Sequence, residues 1–240
     1  MQSLPSHLFI SPRPCFVSDT NTGARVNGYP LNCPSLNGMS YLLNDLKLQV
    51  VSVLERELPK NLYYHNYKHT IEVCKSVQVL AKEEGLSPEE FLVTWTAALF
   101  HDTGFLFSYQ NNEIHSCRYA REILVGFGFS NSQIDLVCHI IMATSIPHKP
   151  ATQLENIICD ADLDYLGGNN YLITSLNLHS EWREYIDKKI LIHEWYEIQR
   201  VFMQSHRYFT SSAQKLRNAK KLHNLQEVNK IIMQTRFQPF

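Results

Sequence analysis

The chain has 240 residues, 44% of them hydrophobic, with 22 Lys and Arg against 23 Asp and Glu for a formal net charge of -1. That is enough apolar material for one domain-sized core, and it excludes the strongly basic composition that captures nucleic-acid polymers or anionic membrane. No stretch approaches the roughly 20 apolar residues of a membrane span, and the start MQSLPSHLFI lacks a basic and then apolar secretion signal, so the expected setting is cytoplasmic.

Residues 1–39 hold five of the ten prolines (Pro5, Pro12, Pro14, Pro30, Pro34) and no lysine, and follow neither a helical nor a strand period. They read as a loop-rich N-terminal arm ahead of a domain at 40–240. From Tyr41 the apolar residues recur at helical spacing, first as Leu46, Val50, Val53 and Leu54 and then as Val73, Val77, Leu80 and Ala81, which predicts an all-α domain. The second pattern predicts a helix over 65–83 with His65 and His69 one turn apart on its inner face. SPEE (Ser87–Glu90), SNSQ (Ser130–Gln133) and TQLE (Thr152–Glu155) have the form of capping boxes and mark three helix starts. Gly85, Gly104 and the LGG at 166–168 mark stops. Six cysteines (Cys15, Cys33, Cys74, Cys117, Cys138, Cys159) form no CxxC pair, as expected of buried reduced thiols.

The polar residues on inner faces carry the chemistry. In the helix after Ser87, the stripe Phe91, Trp95 and Ala98 runs into Asp102, with His101 beside it. In LENIICDADLDYLG, Asp160 and Asp162 lie about 200° apart on a helix, so only one can share a given face. Asp162 goes with Ile158, Tyr165 and Leu166, which makes it the inward one. Burying a carboxylate without a partner costs several kcal/mol. Two imidazoles and two carboxylates from three helices are a fitting donor set for a divalent cation with open positions. Manganese, iron, nickel, cobalt, zinc and magnesium all fit it.

The ordered set H...HD...D, with YHNYKHT before it and DADLDYLG after it, resembles the HD-domain superfamily of metal-dependent phosphohydrolases. It is similar in particular to the bacterial branch with an NExxS element, here NEIHS at Asn112–Ser116, and is distantly similar to the cyclic-nucleotide phosphodiesterases. The likeness spans about residues 60–230. It implies an all-α HD-domain helical bundle with His69, His101, Asp102 and Asp162 as metal ligands, His65 as proton donor to the leaving oxygen, and Glu113 orienting water. It also implies one divalent ion, with two as the alternative if His115 and His139 join the ligands. The implied reaction is hydrolysis of a small-molecule phosphate ester, a nucleotide or cyclic nucleotide, by metal-activated water.

Weaker signals complete the expectation. Arg217 and Lys220, with Lys221 next to them, are candidate phosphate clamps on the last helix, although a basic run is also an ordinary solvated face. His206 and Thr210 are candidates for the cavity lining, and Tyr64 and Tyr67 for walls of a base pocket. His7, His179, His193 and His223 read as surface or filler residues. A homodimer is compatible with the pattern. Two rival functions remain: a di-iron oxygenase, which needs His115 and His139, and a metal-stabilised nucleotide sensor, in which His65 has no role.

Overall fold

Apolar spacing and capping side chains together set out a helical protein. The computed structural model describes residues 25–26, 29–30 and 36–236. Its helices are α1 (Leu36–Glu57), α2 (Tyr67–Glu83), α3 (Pro88–Phe100), α4 (Asn112–Leu124), α5 (Asn131–Met142), α6 (Gln153–Asp162), α7 (Tyr171–Tyr185), α8 (Ile192–Ser205) and α9 (Ser211–Arg236). The fold is all-α, and a two-residue antiparallel pair, β1 (Arg25–Val26) with β2 (Tyr29–Pro30), is its one ladder among the described residues. No helix among them is long and apolar enough to cross a membrane.

The expectation of a loop-rich arm at 1–39 lies mostly outside the described residues. Its last residues do not: α1 begins at Leu36, and Met39 is buried in the main core with Leu42, Leu43 and Leu46. The apolar period of α1 therefore starts before Tyr41.

Helix starts follow their caps. Ser87 with Glu90 and Ser130 with Gln133 form reciprocal capping boxes, and Pro88 opens α3. Thr152 caps α6 by accepting from Glu155 N. The Glu155 carboxylate does not reach back to the cap as expected, but accepts from Ala151 N (2.6 Å). Asn66 accepts from Lys68 N, so α2 begins at Tyr67. His65 consequently precedes the helix and is not on the face of α2 that carries His69, contrary to the sequence expectation.

Two apolar cores share the molecule. The larger is built by α1 to α6, and α3 runs through its middle: every residue from Leu92 to Phe100 is buried. No charge interrupts FLVTWTAALF, so this helix is covered on all sides and shows no single stripe. The smaller core gathers Leu163, Leu166, Tyr171, Trp195, Met203 and Val228 from the 3-10 turn after α6 and from α7, α8 and α9. Trp195 Nε1 donates to Ser175 Oγ inside it (3.0 Å). Two close approaches pack a turn tightly against a helix, one beside each core. A Cβ on Gly104 would lie 1.8 Å from Asn112 O, and one on Gly167 would lie 2.7 Å from the Arg217 Cβ. Only glycine allows either contact. Cys74, Cys117, Cys138 and Cys159 are buried free thiols.

The start of α9 is held by two carboxylates from other helices. Asp160 accepts from Phe209 N (2.8 Å), Thr210 N (2.8 Å) and Thr210 Oγ1 (2.7 Å), and Thr210 Oγ1 accepts from Ala213 N as a cap. Asp160 is thus fully buried, although a helical wheel of α6 turns it away from Asp162. It faces the loop before α9, a partner that the period of α6 does not reveal. Glu84 accepts from Ser212 N (2.9 Å) and Ser211 Oγ (3.2 Å), and the Ser212 contacts hold its carboxyl below the ordinary glutamate range. Because that pKa is lowered on folding, its contribution is present above the unfolded value of about 4.3 and is lost as pH falls through the folded one. Glu84→Ala should therefore cost about 1 kcal/mol near neutral pH, as for a lost helix cap. The difference from wild type in thermal melting should shrink below pH 4.

Candidate metal centre

The end of α3, the start of α2 and the end of α6 meet between the two cores, and each brings a ligand-type side chain. Four donor atoms converge there. His69 Nε2 lies 3.0 Å from Asp162 Oδ1 and 3.4 Å from Asp102 Oδ2, and His101 Nε2 lies 3.1 Å from Asp102 Oδ2 and 3.4 Å from Asp162 Oδ1. Donors about 2.1 Å from a common ion at right angles to one another are separated by about 3 Å. His69, His101 and Asp162 form a group able to hold a metal ion, and the Asp102 carboxylate completes a ring around the same space.

Each donor is aimed by a neighbour. His101 Nδ1 is 2.8 Å from Ala98 O. A carbonyl can only accept, so Nδ1 carries hydrogen and Nε2 is the free nitrogen for a ligand. His101 Nε2 and Asp102 Oδ2 are both buried without a hydrogen-bond partner. Two orphaned buried atoms on one centre are what a cation would satisfy. Asp102 Oδ1 accepts from Asn112 Nδ2 (3.3 Å). Ser116, one turn further along α4, donates to His101 O (2.6 Å) and accepts from Gly104 N (2.8 Å), tying the HD turn to that helix. Burial disfavours the imidazolium of His101, but the Asp102 and Asp162 carboxylates outweigh it and hold its pKa well above the histidine range. Burial likewise opposes the Asp162 anion, and His101 and His69 bring it well below the carboxylate range.

His65 stands beside the ring on a buried acid. Its Nδ1 is hydrogen-bonded to Glu181 Oε1 on α7. Glu181 also accepts from the backbone N of Tyr64 (2.9 Å) and of His65 (3.0 Å), and from Tyr109 Oη (3.1 Å). The His65 ring stacks on Phe105, with centroids 4.4 Å apart. Burial lowers the His65 pKa, but the bond to Glu181 and the charges of Asp102 and Asp162 prevail and raise it. The arrangement leaves Nε2 free on a ring that readily carries a proton.

Other expected site residues lie elsewhere. Glu113, on the first turn of α4, makes no hydrogen bond or ion pair among the described residues; Asn112 and Ser116 occupy the face toward the centre. His139 is 77% exposed in its side chain, and its closest acid is Glu155 at 3.8 Å. His115 packs near Phe107. Neither stands in the ring. Arg217 is held in a two-pronged ion pair by Asp164 (2.5 and 2.8 Å), and Lys220 is partly exposed on α9. Lys221 is buried and donates to His206 O (2.7 Å). Thr210 serves the α9 cap. His179, read as surface or filler, is buried with Nε2 at Ile190 O (3.1 Å).

Two residues near the centre escaped sequence reasoning. Glu181 shares an inner face of α7 with Leu178 and Tyr185, and an acid on such a stripe is a signal. His148, in the segment after α5, has Nε2 3.9 Å from Asp162 Oδ2 and 3.1 Å from Thr144 O; no periodic pattern marks it.

Two cavities open on the ring. One, of about 190 Å³, is walled by Tyr64, His65, Leu178, Trp182 and Phe202. The other, of about 340 Å³, is walled by His69, Ser76, Asn170, Thr174 and Arg217. Asp162 and Tyr165 line both.

Residues 66–164 match the family model of the HD domain. The fold is similar to that of a predicted HD superfamily hydrolase from an uncultured Thermotogales bacterium (18% identity, 81% of this chain and 91% of that one, TM-score 0.50). It is also similar to that of Bacillus subtilis YpgQ in complex with ADP (17% identity, 79% of this chain and 97% of that one, TM-score 0.55). At these identities the likeness is one of fold. Over 76 residues the sequence is 30% identical to an uncharacterized protein of Clostridium beijerinckii, a match covering 30% of this chain and about half (48%) of that relative's length.

Proposed function

We propose that this chain, whose residues 66–164 match the family model of the HD domain, is a metal-dependent phosphohydrolase acting on a small phosphate ester of nucleotide type. The observation that carries this reading is the ring of His69, His101, Asp102 and Asp162 with two of its buried donor atoms left without a hydrogen bond. Those four side chains would hold one divalent cation. When bound, such a cation supplies Lewis acidity and lowers the pKa of a coordinated water.

The chain's own residues do the rest. His65 protonates the departing oxygen through Nε2. Glu181 fixes the ring through Nδ1 and favours its charged form, so it acts as a positioning residue. Asn112 orients Asp102, and the Ala98 carbonyl orients His101. Arg217 is committed to Asp164, so it contributes the shape and polarity of a cavity wall and no free charge; Lys220 lines neither cavity, and a clamp made by these two finds no support. A nucleotide as the organic part is supported by the ADP in the YpgQ complex, which shares the fold.

The test is hydrolysis of a panel of nucleotide esters by protein stripped with chelator and then reloaded with manganese. Activity should vanish on stripping and return on reloading. Undiminished activity in stripped protein would remove the metal from the mechanism.

We also place the working domain at residues 36–240, since Met39 belongs to the main core. Deleting residues 1–35 should leave a chain that melts cooperatively and binds manganese. Aggregation of that truncation would assign the deleted segment a covering role.

A further inference from the structure

Resting on the phosphohydrolase reading, we propose that the substrate is an open-chain phosphodiester with unlike arms: an apolar ring-bearing alcohol, which leaves, and a neutral hydroxylated alcohol, which stays on phosphorus. The juxtaposition that points to it is the pair of cavities meeting at Asp162 and Tyr165, one mainly apolar and containing His65, the other the more polar of the two, with polar and apolar groups in about equal measure, and containing His69. A phosphoryl group at the ring of donors has room for a substituent on each side. A monoester would fill only one of them. A 3′,5′-cyclic ester carries both ester oxygens on one sugar and would also fill one.

Charge supports the same choice. A monoester dianion needs more cationic partners than a diester monoanion. In the polar cavity the one guanidinium, Arg217, is already neutralised by both oxygens of Asp164, and Glu72 is paired with Lys75. What remains on that wall is Ser76, Asn169, Asn170 and Thr174, which are neutral donors and acceptors suited to hydroxyl groups. A second phosphate there would meet Asp164 and Glu72 with no free cation to offset them. On the other side, Tyr64, Trp182 and Phe202 offer ring faces, and Gln199, held by Tyr171 Oη (3.2 Å), is a polar side chain in an otherwise largely apolar wall. Such a wall takes a flat apolar group.

The position of His65 sets the direction of cleavage. It lines the apolar cavity and not the polar one, so the oxygen it protonates belongs to the apolar arm. A water oxygen bonds to phosphorus, and the bond from phosphorus to the apolar arm's oxygen breaks with its electron pair left on that oxygen. His65 gives this oxygen a proton and regains one from solvent, to which the attacking water has released its own. Water and a diester anion become an alcohol and a monoester anion.

The experiment uses the manganese-loaded full chain and three p-nitrophenyl esters: p-nitrophenyl phosphate with one arm, methyl p-nitrophenyl phosphate with a vestigial second arm, and thymidine 5′-(p-nitrophenyl phosphate) with a hydroxylated one. The thymidine ester should exceed both others in kcat/KM by about tenfold or more. Thr174→Trp, which crowds the polar cavity from α7, should slow the thymidine ester at least about tenfold more than the methyl ester, and Ser76→Trp on the opposite wall should do the same. A monoester turned over as fast as the thymidine ester, or equal losses on both diesters in both variants, overturns the two-armed substrate while leaving the hydrolase intact. If no ester turns over, calorimetric titration with thymidine 5′-phenyl phosphate decides. Binding that either tryptophan weakens tenfold keeps the two-armed site and overturns the hydrolase reading. Absence of binding overturns both.

Discussion

His65→Ala should lower kcat by roughly 10²- to 10⁴-fold on an ester with a poor leaving group, while leaving the cation and the fold in place. The expectation follows from where the imidazole stands. It is tied through Nδ1 to the buried Glu181 and stacked on Phe105, and it is not one of the four donors of the ring. A p-nitrophenyl leaving group departs as a stable phenolate and needs little protonation, so the same substitution should cost much less on that ester. Glu181→Gln should give a smaller loss, together with a shift of the alkaline limb of the kcat profile to lower pH, because the carboxylate that helps raise the His65 pKa, and so keeps the proton donor charged, is gone. Equal losses on both kinds of ester, or loss of metal with His65→Ala, would make His65 a ligand or a positioning group.

The second large effect separates two aspartates two residues apart. Asp162→Ala removes an oxygen that lies 3.0 Å from His69 Nε2 and 3.4 Å from His101 Nε2. Manganese affinity should fall at least about 100-fold, beyond the range usual for loss of a ligand's supporting partner. Added manganese should then no longer raise the melting temperature, since ligand-linked stabilisation requires binding to the folded state. Asp160→Ala should do the reverse. It strips three donors at Phe209 and Thr210 of their acceptor and loosens the cap of α9, at a cost of about 3 kcal/mol or more. Its melting temperature should still rise with manganese, from a lower starting point. An Asp160 variant that melts like wild type would mean the α9 start is held by other contacts.

The pattern of HNYKHT, HD and DADLD carried most of what could be read before the fold was known. Periodicity located α2, α3 and α6, and the polar residues at their inner ends identified three of the places where a charge had to be reconciled with burial. Periodicity reports which face of a helix is covered, but not by what. Asp160 shows the difference: its face of α6 is turned away from Asp162 yet is covered by the loop before α9, which arrives from about fifty residues further along the chain. The one-turn spacing to His69 predicts His65 on α2; the Asn66 side chain, by accepting from Lys68 N, starts the helix after it. Glu181 was illegible as a partner because 116 residues separate it from His65, and only packing of α7 against the turn before α2 brings them together. Arg217 and Lys220 read as a basic run, whereas Asp164, the residue that neutralises Arg217, lies 53 residues earlier in the chain.

The most direct test of the central claim is metal stoichiometry measured alongside hydrolysis. Chelator-stripped protein is dialysed against a series of manganese concentrations, and bound metal is quantified by mass spectrometry at each step while turnover of a nucleotide ester is followed on the same samples. The account predicts saturation at one ion per chain, with turnover rising in proportion to occupancy and both lost together in Asp162→Ala. Two tightly held ions of iron in protein purified without chelator, or turnover that does not follow occupancy, would contradict it.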